Sequence, residues 1–253
     1  MRAPAGHELR ALVEPLSPAL HRASAALWRP EGLRERYARY LTTMHAVIRA
    51  SVPLMELAAR RCRALPSDPG APGIAGEPGA DALAGFLDAH IDRERHHDDW
   101  LLDDLAAVGL DPARAFEEPP SAAVARLVGA PYYWVSHHHP AALLGYILVL
   151  ELHAPHAALP ALLAERTGLP PAAFDSVRLH AEADPGHSAE VVAALDAGVT
   201  TERARRAARL SALHTVAALL DVLAELSAAP PLLTPATLLT PAAPTAPKEA
   251  RTP

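Results

Sequence analysis

One cysteine, Cys62, is all that this 253-residue chain contains. An intramolecular disulfide, an all-cysteine zinc site and an iron–sulfur cluster are therefore excluded. Aromatic residues make up only 4% of the sequence, which leaves few platforms for stacking single-stranded bases. Positive charge is scarce as well: the net charge is −6, and no basic nucleic-acid surface is expected. No segment reads as the run of about 20 apolar residues that crosses a membrane. The first residues lead into no apolar stretch, so no signal peptide is expected. These absences point to a soluble cytoplasmic protein that binds neither nucleic acid nor membrane. Strand signals are nearly missing too, with little alternation and no Asn-Gly hairpin turn.

What the chain does have is apolar content (50%), enough for a core, and an unusual 14 histidines. Apolar residues recur at helical spacing from His7 to Trp28, with interruptions at Pro15 and Pro18. A long helical stretch follows from Glu31 to Leu65, in which Pro53 predicts a kink or break. Ser67 to Gly79 is rich in proline and glycine and reads as a loop. Ala80 to Val108 reads as a second long helix with Gly109 as its C-cap. Ser121 is placed to N-cap a shorter helix that runs to Trp134. Ala141 to His153 is apolar on nearly every face and should be central. Pro171 to Asp196 and Thr200 to Leu226 complete the helices, the last with Leu210, Leu213, Val216, Leu219, Leu220 and Leu223 as its apolar stripe. The fold class is all-α: one domain of about seven helices over residues 1–227. A Pro/Ala/Thr-rich tail over 228–253 is expected to be disordered.

Three motifs carry chemistry. His180, Asp184 and His187 stand at i, i+4 and i+7, so that two imidazoles and a carboxylate share a helical face. Such a set suits non-haem iron, which keeps positions open for dioxygen or substrate. Glu94 and His97 form an ExxH pair, the spacing by which bundle dimetal proteins present two ligands from one helix. Glu151 lies in the apolar helix, where a carboxylate costs several kcal/mol unless paired or bound to a cation. Together, Glu94, His97, Glu151, His180, Asp184 and His187 are three carboxylates and three imidazoles, a match for two hard, redox-active ions. Each motif has a plainer explanation. Asp184 before Pro185 fits a helix N-cap with proline at N1. Asp92 to Asp99 fits a solvated charged face, and Glu151 could pair with an arginine.

In order and separation these motifs resemble the haem-oxygenase-like dimetal oxidases and oxygenases, often described as iron-containing redox enzymes. His90-x3-Glu94-x2-His97-x2-Trp100-Leu-Leu-Asp-Asp-Leu, followed by Gly109, is similar to the second core helix of that family. His139-Pro140-Ala-Ala-Leu-Leu-Gly145-Tyr146, leading to Glu151, is similar to its central helix, and the likeness spans roughly residues 30–225. The resemblance implies a seven-helix haem-oxygenase-like bundle, two iron ions (the second open to loss) and no haem. It also implies O2 activation with an external electron donor, a small organic substrate such as an amino or fatty acid, and a homodimer. The outcome would be desaturation, C–C cleavage or N-oxygenation. Within the same broad fold, a metal-free enzyme like pyrroloquinoline quinone synthase or thiaminase II is the alternative. A small-molecule-binding bundle without turnover is another.

Other residues have weaker claims. His90, a turn before Glu94, reads as a neighbour that orients a carboxylate, or as a core histidine. Tyr146 is a candidate second-layer residue or pocket wall. Tyr132, Tyr133 and Trp134 read as core or pocket wall, and Met44, Met55 and Glu56 as core or lining. His137, His138 and His139 should be at the surface. His45 faces inward on the first long helix and is the residue on which a haem alternative would rest. Cys62, between Arg61 and Arg63, could have a lowered pKa but reads as incidental.

Overall fold

The computed structural model describes residues 3–64, 73–117 and 119–228, the side chains of residues 183–185 excepted. Of the expected tail only Ala228 lies within the described residues, and of the expected loop only residues 73–79. Among the described residues the secondary structure is helical throughout. In chain order the helices are α1 (Ala5–Val13), α2 (Ser17–Leu27), α3 (Leu33–Ile48), α4 (Ser51–Arg63), α5 (Ala80–Glu94), α6 (His97–Ala107), α7 (Ala122–His137), α8 (Ala142–Glu151), α9 (Leu159–Thr167), α10 (Asp175–Gly198) and α11 (Glu202–Ala228). Short 3-10 turns at Glu14–Leu16, Pro112–Phe116 and Pro171–Phe174 connect some of them. Several expected long helices are cut into two, which raises the number of segments above seven.

The cuts have different causes. The α1–α2 junction falls at Pro15 and Pro18, as the sequence predicts. Between α3 and α4 the break is at Arg49–Ala50, and Pro53 follows in the first turn of α4, where its missing N–H costs nothing. The expected single helix from Ala80 to Val108 is instead α5 and α6, because His96 adopts a left-handed conformation (φ 72°). Gly109 ends α6 as expected. It has φ 83°, its N–H donates to Ala106 O, and Leu110 N–H donates to Leu105 O, each at 3.0 Å, which is a Schellman closure. Ser121 caps α7 by accepting from Val124 N at 3.3 Å.

α8 is the axis of the bundle. Every residue from Ala142 to Val149 is buried, and the helix packs against α11, α10 and α7. The approach of α11 is set by Gly145, where a Cβ would stand 2.1 Å from Ala208 O. The face of α11 that meets the bundle is accordingly small: Ala204, Ala207, Ala208, Ser211, Ala212 and Thr215 are buried. The expected leucine stripe is partly wrong, since Leu210 and Leu213 are 52% and 42% exposed. Large side chains at the contact would hold the two backbones apart. By length and composition α11 is also apolar enough to cross a membrane, contrary to the sequence reading, though 44% of its apolar window is buried in the bundle.

The N-terminus of α10 is capped from another helix. Asp104 of α6, fully buried, accepts from Asp175 N and Ser176 N at 3.1 Å and from Ser176 Oγ at 2.5 Å. Tyr37 OH donates to Ala173 O at 2.6 Å beside it. Burial outweighs these hydrogen bonds and pushes the Asp104 pKa up to about 6. The plainer expectations for other residues divide. His139 is buried rather than at the surface, its Nδ1 accepting from Ala141 N at 3.1 Å and its Nε2 lying 3.4 Å from Glu77. His137 and His138 are exposed, and so is Tyr133. Cys62 is buried, and burial pushes its thiol up to about 12, against the pull of Arg63 and Arg61.

Two predictions concern these supports. Gly145→Ala should lower unfolding free energy by ~1–3 kcal/mol, since backbone rather than a flexible side chain meets the new methyl; chemical denaturation measures it. Asp104 binds its proton more tightly in the folded state than its ordinary value of 3.8. Its contribution to stability should therefore be complete below the ordinary value of 3.8, decline as pH rises to about 6, and be lost above that. Asp104→Asn, which keeps an acceptor, should flatten that slope in urea melts across the interval. An unchanged slope contradicts the assignment.

Candidate metal centre

Four helices deliver the site. On α5, Phe86, His90 and Glu94 follow at i, i+4 and i+8 and form one ridge. The His90 ring stacks on Phe86 (centroids 5.1 Å apart), and its Nε2 lies 4.0 Å from Glu94 Oε1. Glu94 is the last residue of α5. His97 is the first residue of α6, and the turn at His96 aims its Nδ1 at Glu94 Oε2, 3.2 Å away. The pair meets across a helix break and not along one helical face as expected. His97 stacks on Trp100 at 3.8 Å between centroids and meets the edge of His180 at 5.3 Å.

Glu151 is the last residue of α8, not a mid-helix one. Its Oε1 lies 3.6 Å from His90 Nε2 and its Oε2 3.7 Å from His187 Nδ1. His187 Nδ1 also lies 3.4 Å from Glu94 Oε1. Both His180 and His187 come from α10, which runs as helix through Pro185 from Asp175 to Gly198. His180 Nδ1 is 2.7 Å from Ser176 O. A carbonyl only accepts, so Nδ1 carries the proton and Nε2 is left with a lone pair. Burial lowers the His180 pKa, which keeps the ring neutral.

The structure thus brings together Glu94, His97, Glu151 and His187 of the predicted set, with His180 against His97. The side chain of Asp184 lies outside the described residues. His90, read from sequence as a neighbour, is part of the centre: donor atoms of His90, Glu94 and Glu151 all lie within 4.8 Å of one another. Its spacing to Glu94 was visible in the sequence, and what was missing was the approach of Glu151 from α8. Tyr146 lines the adjoining cavity, and its electrostatic neighbour is Tyr132, not the carboxylates. Met44 and Met55 line it as well, whereas Glu56 turns outward to Arg60. His45 does not line it; its ring packs edge-on to Phe116.

Electrostatically the centre calls for a cation. Burial pushes both glutamates up, but the close approach of the neighbouring imidazoles more than offsets it, and both stay below their ordinary value. Among the described residues the ion-pair partners of Glu151 are His90 and His187, not an arginine. Each carboxylate also ends a helix, where the macrodipole is negative and repels it. Glu151 Oε2 and His90 Nδ1 are buried without a hydrogen-bond partner. Two ionised carboxylates, unsatisfied ligand atoms and converging imidazoles fit a divalent metal of the iron type.

The centre opens on a cavity of about 890 Å3 bounded by α2, α3, α4, α8, α10 and α11. Trp28, Tyr40, Met44, Met55, Tyr146 and Ile147 are among its walls. Arg36 closes the α2–α3 connector at Trp28 by donating to the carbonyls of Leu27, Arg29 and Glu31.

Comparison with known proteins agrees with the bundle. The sequence model of a family described as iron-containing redox enzyme matches residues 81–220. Among solved structures, a domain of unknown function with a heme oxygenase-like fold from Shewanella denitrificans OS217 superposes with a TM-score of 0.64 at 17% identity, covering 88% of each chain. A TenA homolog from Pseudomonas syringae pv. tomato DC3000 superposes with a TM-score of 0.67 at 15% identity, covering 88% of this chain and 93% of the other. A search of curated proteins finds no match. At these identities the two structures establish the all-α, haem-oxygenase-like fold.

The break at His96 yields a prediction. A left-handed residue with a Cβ costs about 1 kcal/mol, and more if β-branched. His96 is exposed and contacts Asp99 Oδ2 at 2.9 Å. His96→Gly should hold or raise thermal stability, while His96→Val should lower it by ~1–2 kcal/mol and weaken metal uptake by misaiming His97. Equal stability of the two variants would show that the turn is not the strained point.

Proposed function

We propose, from the premise that this chain belongs to the iron-containing redox enzyme family, that it is a non-haem diiron oxidase or oxygenase acting on a small organic substrate. The observation that carries this reading is the convergence of Glu94 and Glu151, both ionised and, among the described residues, without an arginine or lysine against them, upon His90, His97, His180 and His187. One ion fits among His90, Glu94 and Glu151. A second would be held from the side of His97 and His180, with Asp184 as the further carboxylate. Two bound iron ions supply, with electrons from an external donor, the means to activate O2 for attack on a C–H bond or an amine nitrogen.

The protein's own groups do the rest. Ser176 O holds the His180 ring in the tautomer that presents Nε2. Trp100 and Phe86 stack on His97 and His90 and fix their planes. The apolar walls shed water from the reacting end of the substrate, which protects reactive species from hydrolysis and side reactions.

A metal-free enzyme of the same fold and a binding protein without turnover are the competing readings. A cysteine-nucleophile version is disfavoured, since Cys62 is buried, protonated at neutral pH and not part of the cavity wall. Anaerobic Fe(II) titration separates the rest. The wild type should take up about two ions per chain, and His180→Ala about one. The loaded wild type should consume O2 faster than the variant. Equal, negligible uptake by both proteins would favour the metal-free enzyme, and uptake without O2 consumption would favour a binding role.

A further inference from the structure

The charges of α11 run against its own macrodipole. Arg203, Arg205, Arg206 and Arg209 crowd its first third, where the dipole is positive and only Glu202 opposes them. Asp221 and Glu225 stand in its last third, which has no lysine or arginine. Three of the arginines are answered within the chain: Arg205 and Arg209 donate to Glu8 of α1 at 2.8 and 2.6 Å, and Arg203 donates to His138 O beyond the end of α7 at 2.9 Å. Arg206 points outward instead. It reaches Glu202, one turn earlier, at 3.3 Å, and its side chain is 74% exposed. Toward the other end Asp221, 59% exposed, accepts from Arg126 of α7 at 3.1 Å. Between Arg206 and Asp221 the exposed residues of α11 are Leu210, Leu213 and Ala217. Spacings of three and four place all five on one ridge, on the side of the helix turned away from α8.

We infer that this ridge is a self-association surface, on which two copies of the chain pack α11 against α11, antiparallel, about a two-fold axis beside Leu213. The ridge is complementary to its own reverse. With the axis between Leu213 and His214, Arg206 meets Asp221 of the second copy, Leu210 meets Ala217, and Leu213 lies against its own counterpart, each pair being formed twice. The charges then alternate across the contact: Glu202, Arg206, and Asp221 and Arg126 of the second copy. The two macrodipoles oppose each other, so each basic helix start meets an acidic helix end. A parallel pair would set Arg206 against Arg206. A leucine opposite an alanine lets the two ridges interlock. Exposed ion pairs add little affinity and serve to select this register, while the leucines leave water. One helix face from each copy makes a small, reversible interface. Neither metal nor turnover is needed for it, so it stands apart from the diiron reading.

The test is sedimentation velocity of the full chain from about 1 to about 300 μM, with charge-reversal variants. The wild type should dimerise reversibly, and less tightly as salt is raised. Arg206→Asp places an acid opposite Asp221 of the second copy, and Asp221→Arg places a base opposite Arg206; each variant alone should dimerise about tenfold or more weakly. An equimolar mixture of the two should recover the dimer, because a mixed pair has an acid facing a base at both contacts. That recovery also shows that each variant is folded. Leu213→Glu, at the axis, should give a monomer with unchanged helical circular dichroism. A wild type that stays monomeric throughout overturns the inference and leaves the ridge to another occupant, such as residues 229–253 of the same chain or a different protein. A dimer indifferent to Leu213→Glu overturns it too, by placing the contact on another face. A mixture no more dimeric than its components contradicts the antiparallel register.

Discussion

Two carboxylates held in the interior at the negative ends of their helices dominate this structure. Glu94 closes α5 and Glu151 closes α8, so each adds a charge where the backbone has already placed a partial one. Neither has an arginine or lysine for a partner among the described residues. The imidazoles around them offset part of the cost, but they are themselves buried and close to one another, with the His90 and His187 centroids 5.2 Å apart and those of His97 and His180 5.3 Å apart. This much unsatisfied ligand character in one place fits a bound cation, which is the basis of the proposed function.

The scaffold spends specific features on that assembly. Close approach of α8 and α11, made by Gly145 and a face of alanines, fixes the helix that bears Glu151. A left-handed residue at His96 turns the chain so that His97 faces Glu94. Asp104 ties the start of α10 to α6, and α10 carries both His180 and His187. Each device sits outside the centre and acts through a backbone, which is how side chains far apart in sequence acquire one geometry.

Much of this was legible in the sequence, and the failures have physical causes. The all-α class followed from helical periodicity and missing strand signals; Glu94, His97 and His187 were found from the helical spacing of their motifs, and Glu151 because a carboxylate is costly to bury. The turn at residues 95–96 was not legible, because neither glycine nor proline marks it and its left-handed residue is a histidine. The leucines of α11 misled, since hydrophobicity does not reveal that a close helix contact selects small residues and sends Leu210 and Leu213 outward. His139 was misread as surface because its burial depends on contacts with Ala141 N and with Glu77, the latter distant in sequence. His90 was undervalued for a similar reason: its local spacing was plain, but its meeting with Glu151 is tertiary.

The most direct test of the central claim is equilibrium unfolding of the wild type and a Glu94→Gln/Glu151→Gln double variant, each with and without anaerobic Fe(II). If the carboxylates are strained by burial and relieved by a cation, the metal-free double variant will be at least as stable as the metal-free wild type. Fe(II) will then raise the Tm of the wild type alone. A double variant clearly less stable than the wild type without metal, together with no Fe(II)-dependent rise in wild-type Tm, would contradict the account: the glutamates would then be structural partners of the histidines and nothing more.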